Sequence, residues 1–362
     1  MKIKKQYLIS VGIVCSIFTF FYACQKEEKY ISTPYNIPVI PNFRAMPVDA
    51  DNPMTLEGIA LGKKLFFDPI LSSDSTISCA SCHKKNNAFA DDIPKSIGVN
   101  NAFGKRNSMP LFNLAWQKNT FFWDGRANTL QKQAVFPIED PLEMHATIPM
   151  VIERLQNHPT YVDLFWKAFG TKMITKELMT KAIEQFENTL LSYHSKFDAY
   201  LRGEVMLTDA ELRGLEIFKT EKGDCFHCHS STAVEVFISP DRTFANNGLD
   251  SVVSIYDFSD AGLGLISLNT LDYGRFKIPT LRNLAFTAPY MHDGRFSTLD
   301  EVIDFYNDGP KGSPTLEPIM REKANKRLEE FGHWGLQLSS QDKADLKAFL
   351  LSLSDSTFIQ ED

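Results

Sequence analysis

Cys79-Ala80-Ser81-Cys82-His83 and Cys225-Phe226-His227-Cys228-His229 decide how the chain is read. Both are C-x-x-C-H. At this spacing two thiols bond the vinyl groups of a porphyrin, and the adjacent imidazole is carried beneath the ring to ligate iron. The chain has six cysteines; the other two, Cys15 and Cys24, lie near the N-terminus, so the motifs use every later one. Four cysteines in an exported chain could indicate a disulfide framework, but this spacing rejects it. Zinc would want a second Cys or His pair beside each motif, and a thioredoxin-like site has no use for the trailing histidine. Two covalently bound c-type haems are predicted.

Upstream, Lys2, Lys4 and Lys5 precede an apolar run from Tyr7 to Ala23, which ends at Cys24 and the charged stretch Gln25–Lys29. That is an n-region, an h-region and a processing site. A cysteine just after the run suggests a lipoprotein signal, residues 1–23, with Cys24 the acylated first residue. Phe21-Tyr22-Ala23 departs from the small-aliphatic pattern usual there, and the alternative is an uncleaved anchor. In both cases the body is expected outside the cytoplasm, in the periplasm or cell envelope. No later segment is long and apolar enough to span a bilayer. Losing residues 1–23 removes three lysines and no acid, moving the formal charge from −7 to −10. An acidic body argues against nucleic acid and suits a cationic redox partner.

Between the motifs the pattern is helical and repeated. Residues 24–45 form a Pro-rich tether (Pro34, Pro38, Pro41). From Thr55, the residues Leu56, Ile59, Ala60, Lys63 and Phe66–Phe67 recur at helical spacing just before the first motif. Residues 84–145 read as a long irregular stretch, and helices are predicted over 147–169 and 175–201. The capping box Thr208-Asp209-Ala210-Glu211 opens a helix, 212–218, leading into the second motif. A second irregular stretch covers 230–295, with Phe237-Ile238 and Val252–Ile255 as candidate strands of a small hairpin. Thr298-Leu299-Asp300-Glu301 opens a helix to about Tyr306, and a last helix runs over 340–353. The predicted fold is mainly α, with two cytochrome c-like haem domains, 46–205 and 206–362, long irregular loops and few short strands.

These residues match a known family. Alongside the two haem motifs stand Ser96-Ile97-Gly98, Gly104-Lys105-Arg106-Asn107, Phe122-Trp123-Asp124-Gly125-Arg126, Gln133, Pro141-Leu142-Glu143-Met144, Pro279-Thr280-Leu281-Arg282-Asn283 and Ala288-Pro289-Tyr290-Met291-His292-Asp293-Gly294-Arg295. In this set and order the chain resembles the bacterial di-haem cytochrome c peroxidases and their MauG-like relatives, from about residue 55 to 350. The resemblance implies two facing haem domains with a calcium ion between them. It further implies a peroxidatic N-terminal haem supplied with electrons by the C-terminal one.

Carried over residue by residue, His83 is the proximal ligand of the first haem. A distal His, where the family has one, would fall at Val99; Val cannot ligate iron, so this haem is expected to be open without reductive activation. Glu143 matches the distal acid–base, and a carboxylate over a haem has the reach and tunable pKa for a proton shuttle; the plainer reading is a helix-start Glu. Gln133 would hydrogen-bond the distal water or peroxide. His145, two places from Glu143, is read as structural or exposed. Trp123 would relay electrons, though a tryptophan is also a common core residue. Asn107, with the carbonyls of Thr287 and Pro289, matches the calcium ligands.

For the second haem His229 is proximal and His227 points away. The sixth ligand of the family's peroxidases is a Met fourteen residues after the His of Pro-Tyr-x-His-Asp-Gly; here that position is Tyr306, as in the relative that matures the tryptophan-derived cofactor of methylamine dehydrogenase. Met291 is the other candidate, and His292 an orienting neighbour.

Three functions follow as expectations. The leading one is reduction of hydrogen peroxide to water with electrons from a cytochrome c or small copper protein. A second is peroxide-driven oxidation of a protein or organic substrate, toward which Val99 and Tyr306 lean. The third is a pure electron carrier, which Glu143 and Val99 oppose.

Overall fold

Thr55 takes the Gly58 N–H on its hydroxyl at 3.0 Å, capping the first long helix, α1 (Leu56–Phe67). The computed structural model describes residues 30–117, 120–229 and 243–360. The signal segment, Cys24 and Phe237-Ile238 lie outside these residues. The body that follows is Ser32–Asp362.

A one-turn helix, α2 (Cys79–Cys82), carries the first motif. It is followed by α3 (Leu130–Glu139), α4 (Ile148–Gln156), α5 (Pro159–Phe169), α6 (Lys176–Glu187) and α7 (Lys196–Leu201). Next come α8 (Asp209–Lys219), the second motif's one-turn helix α9 (Phe226–His229), and α10 (Gly264–Ser267). The chain ends with α11 (Leu299–Asp308), α12 (Pro318–Phe331) and α13 (Ser340–Ser352). One two-stranded antiparallel ribbon pairs β1 (Phe244–Ala245) with β2 (Phe276–Lys277).

The same packing device appears twice. In α1 a Cβ on Gly62 would stand 1.9 Å from the Ala182 carbonyl and 2.9 Å from the Phe186 Cβ on α6. In α8 a Cβ on Gly214 would stand 2.0 Å from the Asp345 carbonyl and 2.8 Å from the Phe349 Cβ on α13. Each helix that leads into a haem motif therefore needs its glycine, because a later helix crosses there at backbone contact. Four residues after each glycine a phenylalanine is buried, Phe66 and Phe218, filling the next turn of the same face.

Separate apolar clusters form around the two crossings. Leu61, Leu65, Leu155, Phe165, Met179 and Ile183 belong to one, and Phe218, Leu299, Ile303, Leu346, Phe349 and Leu353 to another. A third, with Phe66, Phe89, Phe121 and Phe186, also receives Phe358 from the chain end.

Several boundaries differ from expectation for identifiable reasons. The irregular stretch 84–145 contains α3, capped by Thr129. Pro137 within it cannot donate to the Gln133 carbonyl, which masks the helical pattern. The single helix over 147–169 is two, because Pro159 starts a new one after His158. The 175–201 helix is interrupted over 188–195, then restarted by the Ser195/Asp198 capping box. Val252–Ile255 forms no strand; among the described residues the strands are 244–245 and 276–277. Helix α12 was unmarked in the pattern because it buries only Ala324 fully.

Candidate active site

Ser78 and Ser81 cap α2 reciprocally, and the His83 N–H closes its last turn on the Cys79 carbonyl at 2.9 Å. Cys79 and Cys82 are unpaired. Burial pushes their thiols up, to about 12 and about 11. The His83 ring lies with Nδ1 2.8 Å from the Phe89 carbonyl, and burial lowers its pKa. A neutral imidazole with Nδ1–H held by a carbonyl presents Nε2 as a lone pair.

Cys225 and Cys228 likewise form no disulfide, and burial holds the Cys225 thiol at about 12. Burial drives His229 down to about 4 while the Pro279 carbonyl takes one ring nitrogen. Each motif thus offers two cysteine sulfurs and a neutral imidazole oriented by a backbone carbonyl, which is the donor set a covalent haem takes. His227 faces away into an ion-pair cluster, with Nε2 3.3 Å from Glu221 and 3.2 Å from Asp224. Among the described residues these three are the one group of His, Cys, Asp or Glu whose donor atoms could share a metal. Lys323 and Arg327 already pair with the two acids.

Glu143 sits in the turn after α3, its N–H on the Asp140 carbonyl at 3.0 Å. Its own carbonyl takes the Val99 N–H at 2.8 Å, so the Ser96–Val99 loop lies directly on it. A Cβ on Gly98 would stand 2.2 Å from the Leu142 carbonyl and 2.5 Å from that of Glu143, so this approach requires glycine. Burial, then the charge of Asp140, raise the Glu143 pKa against the opposing Arg126. Its charge in turn raises both Cys79 and Cys82, placing the carboxyl by the first motif. Val99 is buried and His145 exposed. Gln133 is half-buried on α3, and its side-chain amide has no hydrogen-bond partner among the described residues.

Trp123 joins the two halves of the chain. Its Nε1–H donates to the Asn107 carbonyl at 2.9 Å, and the Asn107 N–H donates to the His292 carbonyl at 2.8 Å. The indole meets the His292 ring edge-on at 6.5 Å, and that ring stacks on Phe276 at 3.6 Å. Arg106 ties down the surround, reaching Asp124 at 2.5 Å and Asp260 at 2.7 Å. The Asn107 amide nitrogen stands 3.4 Å from the Ile93 and Pro94 carbonyls. Thr287 is buried, and the Ala288–Pro289 peptide is cis.

Tyr306 and Met291 meet at a residue that sequence reasoning missed. The Asn247 amide nitrogen lies 3.2 Å from the Tyr306 hydroxyl and 3.8 Å from the Met291 sulfur. Burial pushes the Tyr306 phenol up to about 12, Asn247 opposing, and charge on Cys228 and Cys225 adds to the rise. The phenol therefore lies by the second motif. Met291 adopts φ +74°, rare for a residue with a side chain. Asn246-Asn247-Gly248 reads in sequence only as a turn, which is why Asn247 was passed over. Glu187 and Lys277, both buried, carried no sequence signal either.

Two C-x-x-C-H helices, each with an oriented neutral imidazole, define the class as di-haem c-type cytochromes. The comparisons narrow this. The model of the di-haem cytochrome c peroxidase family matches residues 56–206. The methylamine utilization protein MauG of Methylorubrum extorquens is 35% identical over 314 residues, covering 85% of this chain and 81% of the relative. The cytochrome c551 peroxidase of Nitrosomonas europaea is 36% identical over 266 residues, 73% of this chain and 76% of its own. Among solved structures, a MauG-like protein associated with microbial copper homeostasis superposes with a TM-score of 0.78 at 34% identity, covering 90% of this chain and 97% of that one. The chain belongs to the di-haem cytochrome c peroxidase family, a family of haem oxidoreductases with two c-type haems.

Proposed function

We propose that this protein reduces hydrogen peroxide to water with electrons from a cytochrome c or small copper protein, at a first haem held by Cys79, Cys82 and His83. The observation that carries the proposal is Glu143, a partly buried carboxyl with a raised pKa beside the first motif, packed against a loop that presents Val99. The haem supplies the iron at which the peroxide O–O bond is cleaved and electrons are received. Glu143 accepts the proton from one peroxide oxygen and returns it to the other, so that water leaves rather than hydroxide. Gln133, with its amide uncommitted, hydrogen-bonds the peroxide. Two electrons and two further protons complete the conversion of one peroxide to two waters.

Cys225, Cys228 and His229 would hold a second haem, which would supply the point of electron entry, and Trp123 passes electrons between the two sites. Asn107, with the carbonyls of Thr287 and Pro289, is the proposed calcium site. Residues 46–205 and 206–362 are the two proposed haem domains, and 1–23 the signal that places the body in the envelope on a lipid at Cys24. No described helix is long and apolar enough to cross a membrane.

A second reading, peroxide-driven oxidation of a protein or organic substrate, is favoured by one observation. Asn247 donates to the Tyr306 hydroxyl, a bond that favours the phenolate against burial, and an anionic phenolate lowers a haem's potential.

Glu143→Gln tests the leading reading, since it keeps size and removes the shuttle. Peroxide turnover is expected to fall by about two to four orders of magnitude, with haem content unchanged by the pyridine haemochrome assay. Near-normal turnover would remove Glu143 from the mechanism.

A further inference from the structure

Lys277 is 9% exposed and lies on β2. Its ammonium donates to the Gln117 side-chain carbonyl and, at 2.6 Å, to the Thr120 backbone carbonyl. Its backbone N–H donates to the Trp123 carbonyl at 2.8 Å. One residue thus holds Gln117, Thr120 and Trp123, the last of which carries the indole. The strand is itself fixed, because Lys277 pairs with Phe244 in β1 and the Ile278 N–H donates to the Thr243 carbonyl at 2.9 Å. On its other side Phe276 stacks on His292, the ring that Trp123 meets edge-on.

Burying an ammonium is costly, and an apolar side chain of similar length would fill the space without that penalty. Among the described residues no carboxylate pairs with Lys277, and burial pushes it down to about 7. Its polar contacts are all to neutral acceptors on the Trp123 segment and to the Phe121 ring, 5.6 Å away. What the lysine does that an apolar residue could not is hold that segment.

We propose that Lys277 is the positioning residue for Trp123, clasping Gln117, Thr120 and Trp123 to β2 and thereby setting the rate at which electrons pass between the two haem sites. This rests on Trp123 as the relay.

The test uses the holoprotein and its Lys277→Met and Lys277→Arg variants. Hydrogen–deuterium exchange of amides in 120–127 reads the clasp. Flash reduction of the second haem, followed by the absorbance change of the first, reads transfer without turnover. Lys277→Met is expected to speed exchange in that segment by about tenfold to a hundredfold and to slow transfer by about tenfold. Lys277→Arg, which keeps a cation with N–H donors, should recover most of both. If Lys277→Met does not fold, Gln117→Ala removes one arm of the clasp and should shift both readings the same way. Unchanged exchange, or slowed transfer without looser exchange, overturns the proposal. Trp123→Phe separates the two layers. If that variant transfers electrons at the wild-type rate, the relay itself fails, and the rate-setting role of Lys277 fails with it, while exchange still reports the clasp.

Discussion

Glu187 closes α6 with 3% of its surface exposed, and its Oε2 has no hydrogen-bond partner among the described residues. Burial, then the charge of Glu184, push its pKa up to about 8 from an ordinary value of 4.5. The folded chain therefore holds this proton more tightly than the unfolded chain does. Below about pH 4.5 both states are protonated and the group is neutral to stability. As pH rises from there toward 8 the unfolded carboxyl ionises freely and the folded one does not, so stability is lost across that window and the loss levels off above it. Glu187→Gln keeps the size and removes the ionisation. Each pKa unit is worth about 1.4 kcal/mol, so the variant should gain about 3–4 kcal/mol over wild type between pH 5 and pH 8. For a body of this size that is about 5 °C in Tm. Calorimetry of both holoproteins at pH 5, 6, 7 and 8 measures it, and the other carboxylates cancel in the difference. The extra N–H donor of glutamine adds an offset that does not depend on pH, so the slope of the difference is the test. A gap between the two Tm values that is flat across pH, or that narrows toward pH 8, would refute the buried-acid reasoning.

Other expectations concern the haem environments. Because Val99 offers no ligand, the fully oxidised protein should show a high-spin ferric signal by electron paramagnetic resonance and react with peroxide at once; two low-spin signals and a lag removed by one-electron reduction would contradict this. Tyr306→Met should raise the second haem's potential and improve donor-driven peroxide turnover, since a neutral thioether favours the reduced state more than a phenolate does. A wild-type second haem of high potential with the near-infrared Met–iron band would instead put Met291 on the iron. Asn247→Leu removes the 3.2 Å bond to Tyr306; with Tyr306 on the iron, a phenolate relieved of that donor gives more charge to the metal, so the same potential should fall in a redox titration, and no change would separate Asn247 from the site.

The haem motifs were legible because covalent attachment demands a rigid local spacing, and the capping boxes at Thr208 and Thr298 because a helix start is a local event. Both helices open where those residues stand. Harder to see was anything set by tertiary approach. Gly62 and Gly214 lie in plain helical pattern, and only the carbonyls of Ala182 and Asp345, far along the chain, explain them. The repeat was nonetheless present as Gly-x-x-x-Phe before each motif, Gly62 to Phe66 and Gly214 to Phe218. Helix α3 was hidden by Pro137, which reads locally as a stop although the chain tolerates it. Asn247, Glu187 and Lys277 are ordinary residues in ordinary composition. Their importance comes from burial and from partners that no window of sequence contains.

The same limit explains how the chain's two halves come to meet at one indole. Trp123, Asn107 and His292 are drawn together by two hydrogen bonds, neither within one element, and Lys277 adds further bonds from a two-residue strand. A ribbon that short has little stability of its own. It persists because Phe276 stacks on His292 while Arg106 lies over the Phe276 ring and pairs with Asp124 and Asp260. Arg106 thus links the Gly104–Asn107 motif, the Phe122–Arg126 motif and the 260 loop through one guanidinium, whose planar fork meets the Asp260 carboxylate at two points, 2.7 and 2.8 Å. Motifs that look independent in sequence are then parts of a single support for the indole. Loosening any one of them should act on Trp123 before it acts on either haem motif.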